Sequence, residues 1–316
     1  MLVLSLGGAT SALAVSTPTP VATDLGTLPG GTYSSALDID NRGRVVGYSQ
    51  TASGSAHAVL WAQAMPMDLG TLPGQTETYA YAINERGQIA GYAITPGGHA
   101  HAFLWENGMM RELGAPAGYT DTLAYGINEP GQIVGFGIKA TGETRALLWQ
   151  NGSAFDLGTL PGGSISIARG INDRSQVVGY SDTPSGSVHA FLWQNGAMTD
   201  LGTLPNETES YANGINEGGQ IVGSGAPASY QFHALEWRND VAIDLGRFGG
   251  MDTSALAIND RGWIVGFAGS AASNVHALLW RDSSVTDLGP GVAFAINASG
   301  EVVGQSNSRA VRWDAG

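Results

Sequence analysis

The chain has 316 residues, of which 43% are hydrophobic and 13% charged, with 47 glycines, no cysteine and a formal net charge of −13. Disulfides and thiolate metal sites are excluded by composition, and an acidic chain whose only lysine is Lys139 argues against a nucleic-acid backbone or an anionic membrane surface as partner. Abundant glycine, sparse charge and no long amphipathic pattern point to an all-β protein of short strands and tight turns.

The first segment, Met1 to Val15, is small and apolar, and Ala12-Leu13-Ala14 resembles a signal-peptidase site. Residues 1–20 therefore read as an export leader or its remnant, with a short linker, although the basic residue expected before such a run is missing. Residues 21–316 read as one domain. No later apolar stretch approaches the roughly 20 residues needed to span a bilayer.

From Asp24 onward the chain repeats itself. Asp-Leu-Gly-Thr-Leu-Pro begins at Asp24, Asp68, Asp156 and Asp200, and its weaker copies begin at Glu112, Asp244 and Asp287. Three further landmarks recur seven times each: an isoleucine followed by Asn or Asp (Ile39 to Ile296), a glycine ending a short apolar run (Gly47 to Gly304), and a strand ending in tryptophan (Trp61 to Trp313). Trp263 stands outside this register. A period of 44 residues built from short apolar strands and glycine turns is the signature of a propeller blade. The expected fold is a seven-bladed β-propeller of four-stranded antiparallel blades.

In chain order, Val21 to Leu28 reads as a fourth strand without the three that should precede it. The second copy then shows a whole blade: Thr78 to Asn84, a bulged turn ending at Gly87, Gln88 to Tyr92, a loop through Pro96 to Gly98, His101 to Trp105, an Asn107-Gly108 hairpin, and Met110 to Leu113. The chain ends on a third strand, Arg309 to Trp313, so the N-terminal strand is expected to complete the last blade and close the ring. Short first-to-second and third-to-fourth turns fall on one face. The second-to-third and fourth-to-first loops are expected to be longer and more variable, and to form the binding face.

If Asn107-Gly108 occupies the turn, His101 lies diagonal to Glu112 on one sheet face. The same spacing couples His57 with Asp68, Arg145 with Asp156, His189 with Asp200, His233 with Asp244, His276 with Asp287 and, across the closure, Arg309 with Asp24. Neighbouring sheets stack about 10 Å apart, too far for these histidines to share a metal, so they are expected to be structural. The run Asp38-Ile39-Asp40-Asn41-Arg42-Gly43 partly resembles a calcium loop, but its sister copies are plain hairpin turns. No metal and no cofactor is expected.

Where blades converge on the axis, small residues are required, and the first strand supplies Ala36, Ala80, Ala124, Ala168, Ala212, Ala255 and Ala293. Asp38 departs from the alanines and glycines two positions on, and is either solvated in the channel or functional. The intervening position varies: Leu37, Tyr81, Tyr125, Arg169, Asn213, Leu256 and Phe294. Of these, Arg169 and Asn213 are the polar channel candidates beside Asp38. Toward the variable face lie Tyr33, Glu77, Tyr79, Tyr119, Asp121, Glu207, Glu209, Tyr211 and Asp252, where aromatic rings beside carboxylates suit sugar faces and hydroxyls, or a basic peptide.

The strings His-Ala-Phe-Leu-Trp at His101 and His189, Ile-Asn followed by Gly-Gln and Val-Val-Gly, and Asp-Leu-Gly-Thr-Leu-Pro-Gly resemble those of the HAF repeat family of bacterial proteins. The resemblance spans residues 24–316, with the sixth and seventh copies departing around Gly289 to Val292 and Gly304 to Arg309. It implies export and a propeller-like array, and no catalytic residues. The expectation is therefore a monomeric binding or interaction module for a glycan or protein. A glycan hydrolase or lyase using acidic residues such as Glu77 and Glu207 is the alternative, and a purely structural repeat module the second.

Overall fold

The computed structural model describes residues 20–62, 65–229, 231–239, 241–249, 252–269 and 275–314. The leader-like segment lies outside the described residues. Seven four-stranded antiparallel sheets form the blades of a β-propeller. In blade 2 the strands are Glu77–Ile83, Ile89–Ile94, Ala100–Glu106 and Met109–Glu112, each within one or two residues of the expected bounds. Asn107 and Gly108 both take positive φ, 53° and 80°, as a two-residue hairpin turn requires.

Each glycine of the Val-Val-Gly landmark answers a bulge in the first strand. The register slips between Ala80 and Ala82, which drives the Tyr79 carbonyl against the second strand. A Cβ on Gly91 would lie 1.9 Å from that oxygen, so no other residue fits there. The seven first-strand alanines are fully buried. Beside them Gly170 has the next blade's Asn213 carbonyl 3.3 Å from where its Cβ would be, which is the crowding expected near the axis.

Loop lengths differ from expectation in one respect. Second-to-third connections vary but are scarcely longer than the four- or five-residue first-to-second turns, running from two residues in blade 7 to six in blades 5 and 6. The fourth-to-first loops vary most, from nine residues (25–33) down to Gly291 alone.

The repeated His–carboxylate spacing appears as hydrogen bonds: His57 Nδ1 to Asp68 at 2.9 Å, His101 to Glu112 and His189 to Asp200 at 2.8 Å, His233 to Asp244 at 3.3 Å, and His276 to Asp287 at 2.8 Å. Most of these aspartates also cap their own turn, as Asp68 does by accepting the Gly70 amide at 2.8 Å. Arg145 is the correction. It does not meet Asp156: its longer arm turns to Glu143 at 2.9 Å and to the carbonyls of Thr144 and Ser164, while Asp156 accepts the Tyr119 hydroxyl at 2.6 Å.

Two rings of side chains tie blade to blade. In the first, a Ser or Thr near the start of the first strand accepts the backbone N–H of a third-strand alanine in the preceding blade. Ala58 meets Thr78, Ala102 Thr122, Ala146 Ser166, Ala190 Ser210 and Ala234 Thr253, all at 2.8 to 3.0 Å. Across the closure Ala310 meets Ser34 at 2.9 Å. In the second, on the hairpin face, each turn asparagine donates from Nδ2 to the backbone carbonyl of its counterpart in the next blade. Asn84 reaches Asn128, and the chain of donors continues through Asn172, Asn216, Asn259 and Asn297 to Asp40, at 2.9 to 3.1 Å.

Asp40 has no amide to pass the chain on. Its carboxylate instead holds Arg44, four residues on, and the guanidinium reaches the Asn84 carbonyl at 3.3 Å and that of Glu85 at 3.0 Å. Blades 2 to 5 carry Asn and Gln at these two positions, as in Asn84 and Gln88, while blade 6 has Asn259 with Trp263 and blade 7 Asn297 with Glu301. The pair in blade 1 is thus a longer-armed substitute for the same link, and the would-be calcium ligand Asp40 is committed to Arg44 and to the amides of Arg42 and Arg44.

The N-terminal strand, Ala22–Asp24, adds to the edge of blade 7, whose chain-terminal strands are Val292–Ile296, Glu301–Ser306 and Arg309–Asp314. Ala22 pairs with Trp313 and Asp24 with Val311, and Arg309 Nε lies 3.2 Å from Asp24.

Two outcomes follow from this architecture. Deleting residues 1–28 uncovers the edge of Arg309–Asp314 and should lower the melting temperature and promote aggregation, whereas deleting 1–15 should leave the melt unchanged; coincident melts for both truncations and the intact chain would refute the closure. Arg44→Gln strands a buried carboxylate and should cost about 2–4 kcal/mol in denaturant titrations, with Asp40→Asn added to it restoring most of the loss.

Candidate functional site

The axial channel is layered by the period of the first strand. At its hairpin-face mouth, a cavity of about 260 Å³, stand Glu85, Glu129, Asp173, Glu217 and Asp260. Each accepts a backbone N–H from the preceding blade at 2.6 to 2.9 Å, as Glu129 does from Glu85. These acids are turn braces, their charge held by oriented amides. Just inside, the seven landmark isoleucines form an apolar collar around the same mouth.

Above the collar is a waist of about 200 Å³ lined by Leu37, Asp38, Tyr81, Tyr125, Asn213, Leu256 and Phe294. Asp38 and Asn213 are blade links here. Asp38 accepts the Ile39 amide at 2.9 Å and, from the next blade, the Ile83 amide at 2.8 Å. Asn213 donates to the Ala255 carbonyl of blade 6 at 2.9 Å. A sliver of Asp38 faces the channel, but the first strands enclose it, and this desolvation outweighs its two hydrogen bonds and pushes its pKa up to about 7.

Two of the waist residues, Tyr81 and Tyr125, belong to a band of aromatic rings that passes from blade to blade. From Tyr33 the contacts run to Tyr48, Tyr79, Tyr92, Tyr81, Tyr125 and Phe136, with successive centroids 4.8 to 5.8 Å apart. Arg169 carries the band on by lying over Tyr125 and Tyr180, and Tyr180 leads to Tyr211 and Phe232. The rings come from two strands: Tyr79 and Tyr92 are cross-strand partners in one blade, and Tyr48 bridges to Tyr79 between blades. All are partly exposed. Burial raises the phenol pKa values of Tyr48, Tyr79 and Tyr81 and pushes those of Tyr92 and Tyr125 up to about 12, so these five hydroxyls remain donors over the whole physiological range.

This band gathers Tyr33, Tyr79 and Tyr211 from the sequence-derived set. Glu77 and Glu209 sit at its rim, each accepting a hydroxyl two residues on, from Tyr79 and Tyr211. The other residues stand apart. Tyr119 is drawn to Asp156 and lies under Lys139. Asp121 accepts the Ala100 amide at 2.9 Å and meets His99 at 3.2 Å, which, with Thr120, holds its pKa below the usual value despite partial burial. Asp252 lines a largely apolar groove of about 400 Å³ with Phe232, Phe267 and Val275.

Glu207 packs into the notch left by the missing side chain of Gly225, with Oε2 buried and without a hydrogen-bond partner. Desolvation raises its pKa, with His233, 3.9 Å away, opposing the shift. Glu77 lies in blade 2 and Glu207 on the loop entering blade 5, three steps apart around the ring.

Sequence reading missed Tyr48, Tyr92, Phe136 and Tyr180. The signal was there: they are the residues directly after the glycine of each Val-Val-Gly or Ala-Gly landmark.

In fold, the chain is similar to the oligogalacturonate lyase of Vibrio parahaemolyticus, at 11% identity over 95% of each chain with a TM-score of 0.65. It is also similar to the β-propeller domain of the Trilobed protease from Pyrococcus furiosus, at 12% identity over 90% of this chain and 95% of that one, TM-score 0.58. TolB from Acinetobacter baumannii aligns at 10% identity over 85% of this chain, TM-score 0.53, and only 63% of TolB is covered. At such identities the likeness concerns the fold alone. No family model and no curated protein matches the chain.

Asp38 gives a pH test. Its folded pKa, about 7, lies above the ordinary 3.8, so between those values the folded state binds more protons than the unfolded one and stability falls as pH rises. Above about 7 the contribution is flat. The melting-temperature difference between the wild type and Asp38→Asn should therefore change steadily from pH 4 to pH 7 in favour of the variant; a constant offset would remove Asp38 as the source.

Proposed function

We propose that this chain is an exported binding module of the HAF repeat type that takes a saccharide onto the tyrosine band at the waist of its axial channel. The observation that carries this reading is the unbroken band from Tyr33 to Phe136. Partly exposed aromatic faces stack on the C–H faces of sugars, and phenol hydroxyls and rim carboxylates pair with sugar hydroxyls. Export is supported by the apolar Met1 to Val15 segment, and among the described residues no helix is long and apolar enough to cross a membrane.

The enzyme reading is weaker, because glycoside cleavage needs two carboxyl groups flanking one bond, within about 10 Å of each other. Glu77 and Glu207 stand three blades apart, and Glu77 is already engaged by Tyr79.

A glycan array followed by product analysis separates these readings. The wild type should bind a subset of glycans without shortening them, and Tyr81→Ala and Tyr92→Ala should each weaken that binding about tenfold or more while retaining the fold by circular dichroism. Cleavage products would favour a hydrolase or lyase. Silence across the array would leave a structural module.

A further inference from the structure

Arg169 projects from the one waist position that is basic; the six sister positions are Leu37, Tyr81, Tyr125, Asn213, Leu256 and Phe294. Its guanidinium carbon lies 4.7 Å from the Tyr125 ring centroid and 5.7 Å from that of Tyr180. Its one hydrogen bond among the described residues is long, to the Tyr180 hydroxyl at 3.5 Å, and its Nε is buried with no partner. Arg42, Arg44, Arg145, Arg238, Arg309 and Arg312 each meet a carboxylate, whereas no carboxylate of the described residues lies within 4.0 Å of Arg169.

An aromatic face offsets the charge of a guanidinium but accepts none of its in-plane N–H groups. Those edges match the two oxygens of a carboxylate, in the fork-to-fork geometry that arginine favours. We propose that Arg169 is the receptor for a single carboxylate on the bound saccharide, so that the ligand is a sugar or short oligosaccharide carrying one uronic acid. This rests on the tyrosine band being a saccharide site. The restriction to one acid comes from the rim, where Glu77 and Glu209 occupy equivalent positions at the upper ends of their first strands. A polyanion would meet these carboxylates as well as the one arginine.

The test is calorimetric titration of the intact chain with a glucuronate-terminated disaccharide, with the same disaccharide after reduction of its carboxyl group to a primary alcohol, and with polygalacturonate. The acidic disaccharide should bind about tenfold or more tighter than its reduced counterpart, as one charge-assisted hydrogen-bonded pair supplies, and polygalacturonate should bind more weakly than either. Added salt should weaken only the acidic ligand. Arg169→Gln should abolish the difference between the two disaccharides. Equal affinity of the wild type for both disaccharides, or preference for polygalacturonate, overturns the role of Arg169 while the saccharide reading stands. No binding of any of the three overturns both. The wild-type comparison needs no variant, so it decides the matter even if Arg169→Gln misfolds.

Discussion

The geometry of the whole disc depends on a buried amide meeting the carbonyl of the next blade. Seven sheets set side by side share apolar faces, but apolar contact is non-directional and leaves the angle between blades free. The asparagine chain on the hairpin face removes that freedom: each Nδ2 finds the carbonyl of its counterpart only when the neighbouring first strand stands at one height and one rotation. The Ser and Thr hydroxyls do the same further from the axis. Because these groups are almost fully buried, a misplaced blade would leave polar atoms unpaired, which is where the directional penalty comes from.

The architecture was legible in sequence because a blade's landmarks sit at fixed offsets and each offset has a local cause. Asn107-Gly108 marks a hairpin whatever surrounds it, and His101 must fall diagonal to Glu112 once that turn is set. The links between blades were not legible for a physical reason. Asn84 suits a turn because it accepts the Arg86 and Gln88 amides, so its residue type is already explained before its amide nitrogen is considered. Only a neighbouring blade shows what that nitrogen does. Arg145 failed for the opposite reason: a long flexible arm in a histidine's slot chooses among acceptors that register alone does not rank.

The candidate site shows the same division. First-strand tyrosines were visible from their position before the alanine row, but their partners on the second strand follow a glycine inside an apolar run and read as core. Asp38 and Asn213 looked like channel chemistry because they broke a pattern of small or varied residues, and both turn out to fasten first strands together. Arg169 breaks the pattern too, yet it stacks on Tyr125 and Tyr180 with its Nε buried and unpartnered. The distinction lies in unspent hydrogen-bonding capacity, which composition and spacing cannot show.

Strand Arg309–Asp314 descends to the hairpin face, and Ala22, where the completing strand begins, is the residue opposite Trp313. A single strand pair thus fastens both described ends of the chain at one place on the hairpin face, so a pull on either end loads that ladder in shear before it can peel any blade from the ring.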